Sequence, residues 1–195
     1  MKTLFNILVA FIVFINFAGA QEKWSVDPAH TNVRFEVKHL GIAFVDGQFK
    51  KLDGNVETSI PSNFNNAKIN FNIDVNSIDT RIEMRDNHLK SDDFFSAAKF
   101  PTIKLANAIL KGKKGKYTLI GDLTIRDVTK RVTFKVAQNN GIITDPWGKT
   151  RAGFTATTSI NRFDFGINYA DKLSTGVYAV APEIEITVNV EIVKN

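Results

Sequence analysis

The sequence predicts an all-β protein, an extended antiparallel β-barrel of about eight strands with a short helical insertion at the barrel mouth. Three features of the chain point there. Apolar residues recur at every second position from Asn32 almost to the C-terminus, the period of a strand with one face buried. The alternation is broken once, between Ser77 and Pro101, where the spacing becomes helical. Strands of about eight to ten residues at ~3.3 Å each reach ~25–33 Å, a height at which a closed eight-stranded barrel keeps room for one ligand.

A chain of 195 residues supports one domain with a substantial core. Residues 1–20 are read as a signal peptide, with Lys2 ahead of an apolar run and the small residues Ala18, Gly19 and Ala20 as the cleavage site. Residues 21–195 then form the domain, located in the periplasm or secreted. Loss of Lys2 takes the formal net charge from +5 to +4, so the remaining chain stays mildly basic. There is no cysteine, which excludes disulfides and a lipid-modified N-terminal cysteine. Basic residues alternate with acids along strands and no aromatic-basic motif occurs, so no nucleic-acid partner is expected.

In chain order, residues 24–26 begin a short strand that Pro28 ends, and Ala29 and His30 form a turn. Residues 32–39, NVRFEVKH, place Val33, Phe35, Val37 and His39 on one side and Asn32, Arg34, Glu36 and Lys38 on the other. Strands over 44–50 and 52–57 follow, where Gly47 and Gly54 mark a bend or the close approach of another group. After a turn at 61–63, Ala67, Ile69, Phe71, Ile73 and Val75 share a face.

The helical stretch predicts two short helices joined by a polar turn. Asp79 or Ser77 caps the first, which carries Ile78, Ile82, Arg85 and Leu89 on one face and ends near Lys90. Ser91, Asp92 and Asp93 supply caps for the second, and Phe100-Pro101 restores extended geometry. Beyond it, residues 102–110 and 117–125 predict a hairpin across the basic stretch 111–116. Then come a strand over 131–137, a turn at Asn139-Asn140-Gly141, a polar loop at 145–148, a strand over 152–160 and a closing strand over 184–192.

Six separated segments carry a family resemblance: WSVDPAHTNVRFEVKH at 24–39, GQFKKLDG at 47–54, TRIEMRDNHLKSDDFF at 80–95, KFPTI at 99–103, GDLTIRDVTKRV at 121–132 and INRFDFGI at 160–167. In this order, over nearly the whole chain after residue 20, they resemble the YceI family. Thr31 stands where the family often has serine, and Asp127 where it often has glycine. The resemblance implies a lipocalin-like antiparallel barrel whose interior holds a long apolar chain. The implied ligand is a polyisoprenoid, such as an isoprenoid quinone or polyprenyl phosphate, or a fatty-acid-like amphiphile, with no other cofactor.

Strand alternation nominates Phe35, Val37, Val56, Phe71, Ile73, Leu119, Phe134, Phe154 and Ile186 as the cavity lining; a barrel filled by its own side chains would make them plain core. Arg81, Arg85, Asp86 and His88 either hold a polar head group at the mouth or form an Arg–Asp network that pins the helix. His30, His39 and His88 lie far apart without metal-ligand spacing, so no metal is expected. The tip at 111–116 can touch anionic lipid head groups transiently, or simply be a solvated turn. Residues 161–166 suggest a barrel corner, and the chain is compatible with a monomer or a homodimer.

No nucleophile elbow, metalloprotease helix, phosphate loop or dinucleotide fingerprint occurs, so the chain is read as a binding protein and not an enzyme. Two alternatives stand beside the lipid carrier. One is a lipid-modifying enzyme with Asp86 and His88 as acid-base groups, and the other a stress-response interaction protein with a filled barrel and an exposed edge.

Overall fold

The structure is a computed structural model and describes residues 21–195. The signal-peptide expectation for residues 1–20 lies outside the described residues.

The strands are β1 (Glu22–Val26), β2 (Asn32–His39), β3 (Ala43–Phe49), β4 (Leu52–Thr58), β5 (Lys68–Asp74), β6 (Ile78–Asp79), β7 (Thr102–Lys113), β8 (Lys116–Ile125), β9 (Val128–Thr144), β10 (Thr150–Asn161) and β11 (Val180–Lys194), with one helix, α1 (Glu83–Lys90), after β6. The circuit β1-β4-β5-β7-β8-β9-β10-β11 closes through a β1–β11 pairing. All pairings are antiparallel.

β11 is the spine of the closure. Its residues Val180 to Asn189 pair with β2 and its residues Ile192 to Lys194 pair with β1, so β1 and β2 lie end to end along it as one kinked strand. β3 and β4 return beside them in the same way, β3 on β2 and β4 on β1. The predicted barrel of about eight strands is therefore the observed one. The other edge of β3 meets only the two-residue β6, at Gln48 and Phe49, and α1 follows β6.

This register gives the barrel two distinct ends. The β2–β3 hairpin, α1, the β8–β9 turn and the segment between β10 and β11 gather at one, called here the helical end. The β4–β5 loop, the β7–β8 hairpin and the β9–β10 loop gather at the other. The apolar side chains form two clusters, one around Trp24, Phe64 and Phe154 toward the far end and one around Val33, Phe49, Phe94 and Phe165 toward the helical end.

Several elements differ from the sequence expectation. The helical stretch contains one helix, and it starts at Glu83 with Ile82 at the cap position and no side-chain cap. Ser77 and Asp79 do not cap it: Asp79 accepts from the Arg81 backbone N–H in a turn, and Ile78 is on β6. Glu83 and Asp86 in the first turn and His88 and Lys90 in the last still suit the helix dipole. Residues 91–100 form successive turns instead of a second helix, because Ser96 sits at φ 50° and its hydroxyl bonds Asp92.

The basic hairpin is tighter than expected. β7 and β8 extend to Lys113 and Lys116, leaving Lys114 (φ 55°) and Gly115 (φ 76°) as a two-residue turn whose positive angles match the strand twist. The predicted turn at 139–141 is instead a bulge inside the 17-residue β9. Gly153 pairs with Asn139 and Ala152 with Ile142, so Asn140 and Gly141 are left unopposed. The expected corner at 161–166 is a 3-10 turn, Arg162–Phe165, ended by Gly166 at φ 72°.

Candidate functional site: an apolar cavity

The inward faces of the strands do not meet at the barrel axis. They enclose a cavity of ≈ 210 Å³, and of its 32 lining residues 31 are apolar, the other being Arg162. All nine residues nominated by alternation lie on this wall: Phe35, Val37, Val56, Phe71, Ile73, Leu119, Phe134, Phe154 and Ile186. Gly47 and Gly54 make space for two of the rings. A Cβ on Gly47 would lie 2.4 Å from the Phe35 ring and one on Gly54 2.7 Å from the Phe71 ring, so only glycine admits these inward aromatics.

The far end is plugged. Phe64, from the β4–β5 loop, packs against Trp24 and Phe154 with centroids 5.3 and 5.0 Å away. Its loop is fixed by the Thr58 hydroxyl to the Asn63 carbonyl, by Asn66 N–H to Leu110 O, and by Gly112 N–H to Asn65 Oδ1. The helical end is roofed by side chains that strand alternation does not reveal: Leu89 of α1, Phe94 and Phe95 just after it, and Ile167 before β11. Phe95 meets Phe49 edge to face at 5.8 Å. His88, Phe94 and Tyr169 stack mutually at 4.9–5.5 Å, joining α1 to the segment before β11.

Arg81, Arg85, Asp86 and His88 do not line the cavity. Arg81 pairs with Asp46 on the outer face of β3 at 2.5 Å. Asp86, buried, accepts from the Thr80 backbone N–H (2.8 Å) and hydroxyl (2.5 Å), while Arg85 donates to the Thr80 hydroxyl and carbonyl at 2.7 Å. His88 is 3.0 Å from Asp93. Asp86, Thr80 and Arg85 thus tie α1 to the strand before it. Asp86 and His88 address different partners, and among the described residues no acid-base pair lines the cavity.

The charged wall residue is one that sequence reasoning passed over as part of a corner. Arg162 is only 3% exposed and donates to the carbonyls of Ala181 (3.1 Å), Ile167 (2.8 Å) and Val180 (2.8 Å). Its guanidinium stands 4.4 Å from the Phe163 ring centroid. Among the described residues no carboxylate lies within ion-pair distance of it, and burial pushes its pKa below the usual arginine value. A buried cation compensated by carbonyl dipoles alone is costly, and it imposes a positive potential on that end of an otherwise apolar chamber.

At the β1–β2 junction, Asp27, His30 and Glu191 lie within 4.8 Å of one another, the spacing of an ion site. The position between them is already served by a cation: Arg151 reaches Asp27 at 2.7 Å, Glu191 at 2.5 Å and Asp145 at 2.6 Å. The His30 hydrogen bond, then Arg151, holds the Asp27 carboxyl down at about 2. The arrangement is an ion-pair network that fastens the β9–β10 loop and β11 to the β1–β2 junction.

The fold and the site define a class first: a closed antiparallel barrel built around an enclosed apolar chamber. The YceI-like domain family matches residues 24–192, and the chain belongs to that family. A "UPF0312 protein" of Shewanella denitrificans is 41% identical over 140 residues, 71% of this chain and 72% of that one. Among solved structures, Burkholderia cenocepacia BcnA superposes with a TM-score of 0.71 at 23% identity, covering 85% of this chain and 98% of that one. A polyisoprenoid-binding domain from Saccharophagus degradans superposes at 0.63 with 13% identity, covering 88% and 98%. Both share this barrel.

Proposed function

We propose that the barrel encloses one long apolar chain, a polyisoprenoid or a fatty-acid-like amphiphile, and sequesters or carries it in the periplasm or outside the cell. The observation that carries this is the wall itself, apolar at every lining residue but Arg162. Each methylene moved from water into such a chamber contributes ~0.8 kcal/mol, so about ten carbons outweigh any single polar contact. The shape of the chamber, not directional bonding, then selects the ligand. The name of the Saccharophagus degradans domain, which has this fold, points to the same ligand class.

The polar end of such an amphiphile lies toward the helical end, where Arg162 offers positive potential to a carbonyl, quinone or phosphate oxygen. No bond is made or broken: binding is enclosure. Native mass spectrometry of protein purified without detergent, followed by organic extraction, tests the reading. A stoichiometric apolar lipid, chemically unchanged, is expected. Protein that is empty and takes up neither quinones, polyprenyl phosphates nor fatty amides would sink it. Alanine at Phe71 or Phe134 should lower retention more than alanine at the exposed Lys113.

A further inference from the structure

The outer surface carries a second pattern. Among the described residues nine large apolar side chains are exposed, and six of them, Ile42, Phe44, Ile82, Met84, Leu173 and Val177, belong to segments at the helical end. Ile42 is the tip of the β2–β3 hairpin and 86% exposed, Phe44 is 61% exposed beside it on β3, and Met84 in the first turn of α1 is 83% exposed. These segments touch. A Cβ on Gly41 would lie 3.1 Å from Val177 Cγ1, and Leu40 N–H donates to Ala179 O, which joins the hairpin to the segment before β11. Arg81 bonds Asp46, two residues along β3 from Phe44, which brings the start of α1 to the same strand.

Charge separates the two ends. Around the apolar rim charges of both signs are interspersed: Asp46 pairs with Arg81 and Asp92 with Lys99, while Glu83, Asp164 and Asp171 on one side and Lys38, Lys90 and Lys172 on the other make no ion pair among the described residues, so neither sign dominates. Lys38 and Lys172 hold their ammonium nitrogens 5.7 and 4.4 Å from the ring centroids of Phe44 and Tyr178, cation–π contacts that keep these charges beside the apolar rim. At the far end Lys111, Lys113, Lys114 and Lys116 make no ion pair among the described residues. The helical end therefore suits an uncharged interface, and the far end an anionic one.

We propose that the helical end docks on a zwitterionic lipid bilayer, with Ile42, Phe44 and Met84 inserted among the head groups, so that the roof made by Leu89, Phe94 and Phe95 faces the membrane. This rests on the reading of the chamber as a lipid site and adds where the lipid enters. The apolar rim and the roof belong to the same segments, so docking places the exchange route against the phase in which such a chain is soluble.

The chain supplies its own control. Trp147 is 81% exposed on the far-end β9–β10 loop, whereas Trp24 is buried. With phosphatidylcholine vesicles, a Phe44→Trp/Trp147→Phe protein is expected to shift its emission to the blue and to be quenched by brominated acyl chains, while Trp147 in the parent is not. The triple variant Ile42→Ser/Phe44→Ser/Met84→Ser, folded by circular dichroism, should lose vesicle partitioning by roughly tenfold or more. Quenching of Trp147, unchanged partitioning of the triple variant, or binding that requires anionic lipid and disappears at high salt would overturn the proposal. So would sedimentation in which the triple substitution turns a dimer into a monomer, since the rim would then cover a second copy. Lipid extraction from the same samples separates the two readings: an empty parent that still binds vesicles sinks the carrier and leaves the docking.

Discussion

Phe95 stands edge-on to Phe49, with ring centroids 5.8 Å apart and planes at 81°. This contact fastens the turn after α1 to β3 at the place where β3 has only a two-residue partner on its outer edge. The roof at that point is held to β3 by side-chain packing rather than by a ladder of backbone hydrogen bonds, the kind of attachment that opens at low free-energy cost.

Shortening Phe95 to alanine should therefore act on exchange before it acts on the fold. Phe95 is half-buried, so the loss should stay below the ~3–5 kcal/mol of a fully buried phenylalanine. The rate of lipid release to acceptor vesicles, followed with a fluorescent polyprenyl or fatty-acyl probe, is expected to rise severalfold. An unchanged rate would place the exchange route elsewhere.

Asp86→Ala removes the acceptor of both the Thr80 N–H and the Thr80 hydroxyl. Leaving buried donors unpaired costs ~1–3 kcal/mol, seen as a lower urea midpoint with little change in slope. Amide exchange should increase over α1 and β6 while the β8–β9 ladder keeps its protection. A global loss of protection instead would show that α1 is integral to the barrel.

Gly47→Ala places a methyl 2.4 Å from Phe35 Cζ and 2.8 Å from Thr80 Cγ2. Overpacking of this kind costs ~1–3 kcal/mol. Phe35→Leu removes the offending ring atoms, so the double variant should recover part of the stability lost by the glycine substitution, as a nonadditive term in a double-mutant cycle. Strict additivity would mean that β3 shifts to relieve the clash.

The Asp27–His30–Arg151 network gives stability a signed dependence on pH. Asp27 is held down at about 2, so its contribution is present above the unfolded value of ~3.9 and disappears as pH falls through about 2. His30 is raised by its hydrogen bond to Asp27, so its contribution is complete below ~6.5 and is lost as pH rises through the raised folded value. Thermal midpoints measured on the alkaline side should decline in the parent and decline less in His30→Asn. Identical profiles would remove His30 from the network.

Strand alternation was sufficient to place side chains on the inner wall, because a period of two is an intrinsic property of the backbone and a closed barrel has one inside. Nothing comparable marks Phe94 and Phe95. They reach the chamber through a succession of turns set by Ser91, Asp92 and Ser96, whose side chains and φ angles end α1 and prevent a second helix. Arg162 was hidden for the opposite reason: a cation in an apolar wall contradicts the pattern, and only the carbonyls of Ile167, Val180 and Ala181, brought together by the 3-10 turn, make it tolerable. Asn139-Asn140-Gly141 carries every local sign of a turn, yet pairing with β10 on both sides, Asn139 with Gly153 and Ile142 with Ala152, carries β9 through it as a bulge.

The seam between β1 and β11 joins residues about as far apart as the chain allows, Trp24 opposite Lys194, with the Ser25 hydroxyl on the Asn195 side chain. Loop closure across that separation must be met before the contacts reward it, so seam formation belongs late in folding. Until then the meander from β4 through β10 is an open, curved sheet with an oily concave face. Under the carrier reading, a lipid laid on that face is enclosed as the last strand zips into place, a way in during assembly that differs from exchange through the roof of the finished barrel.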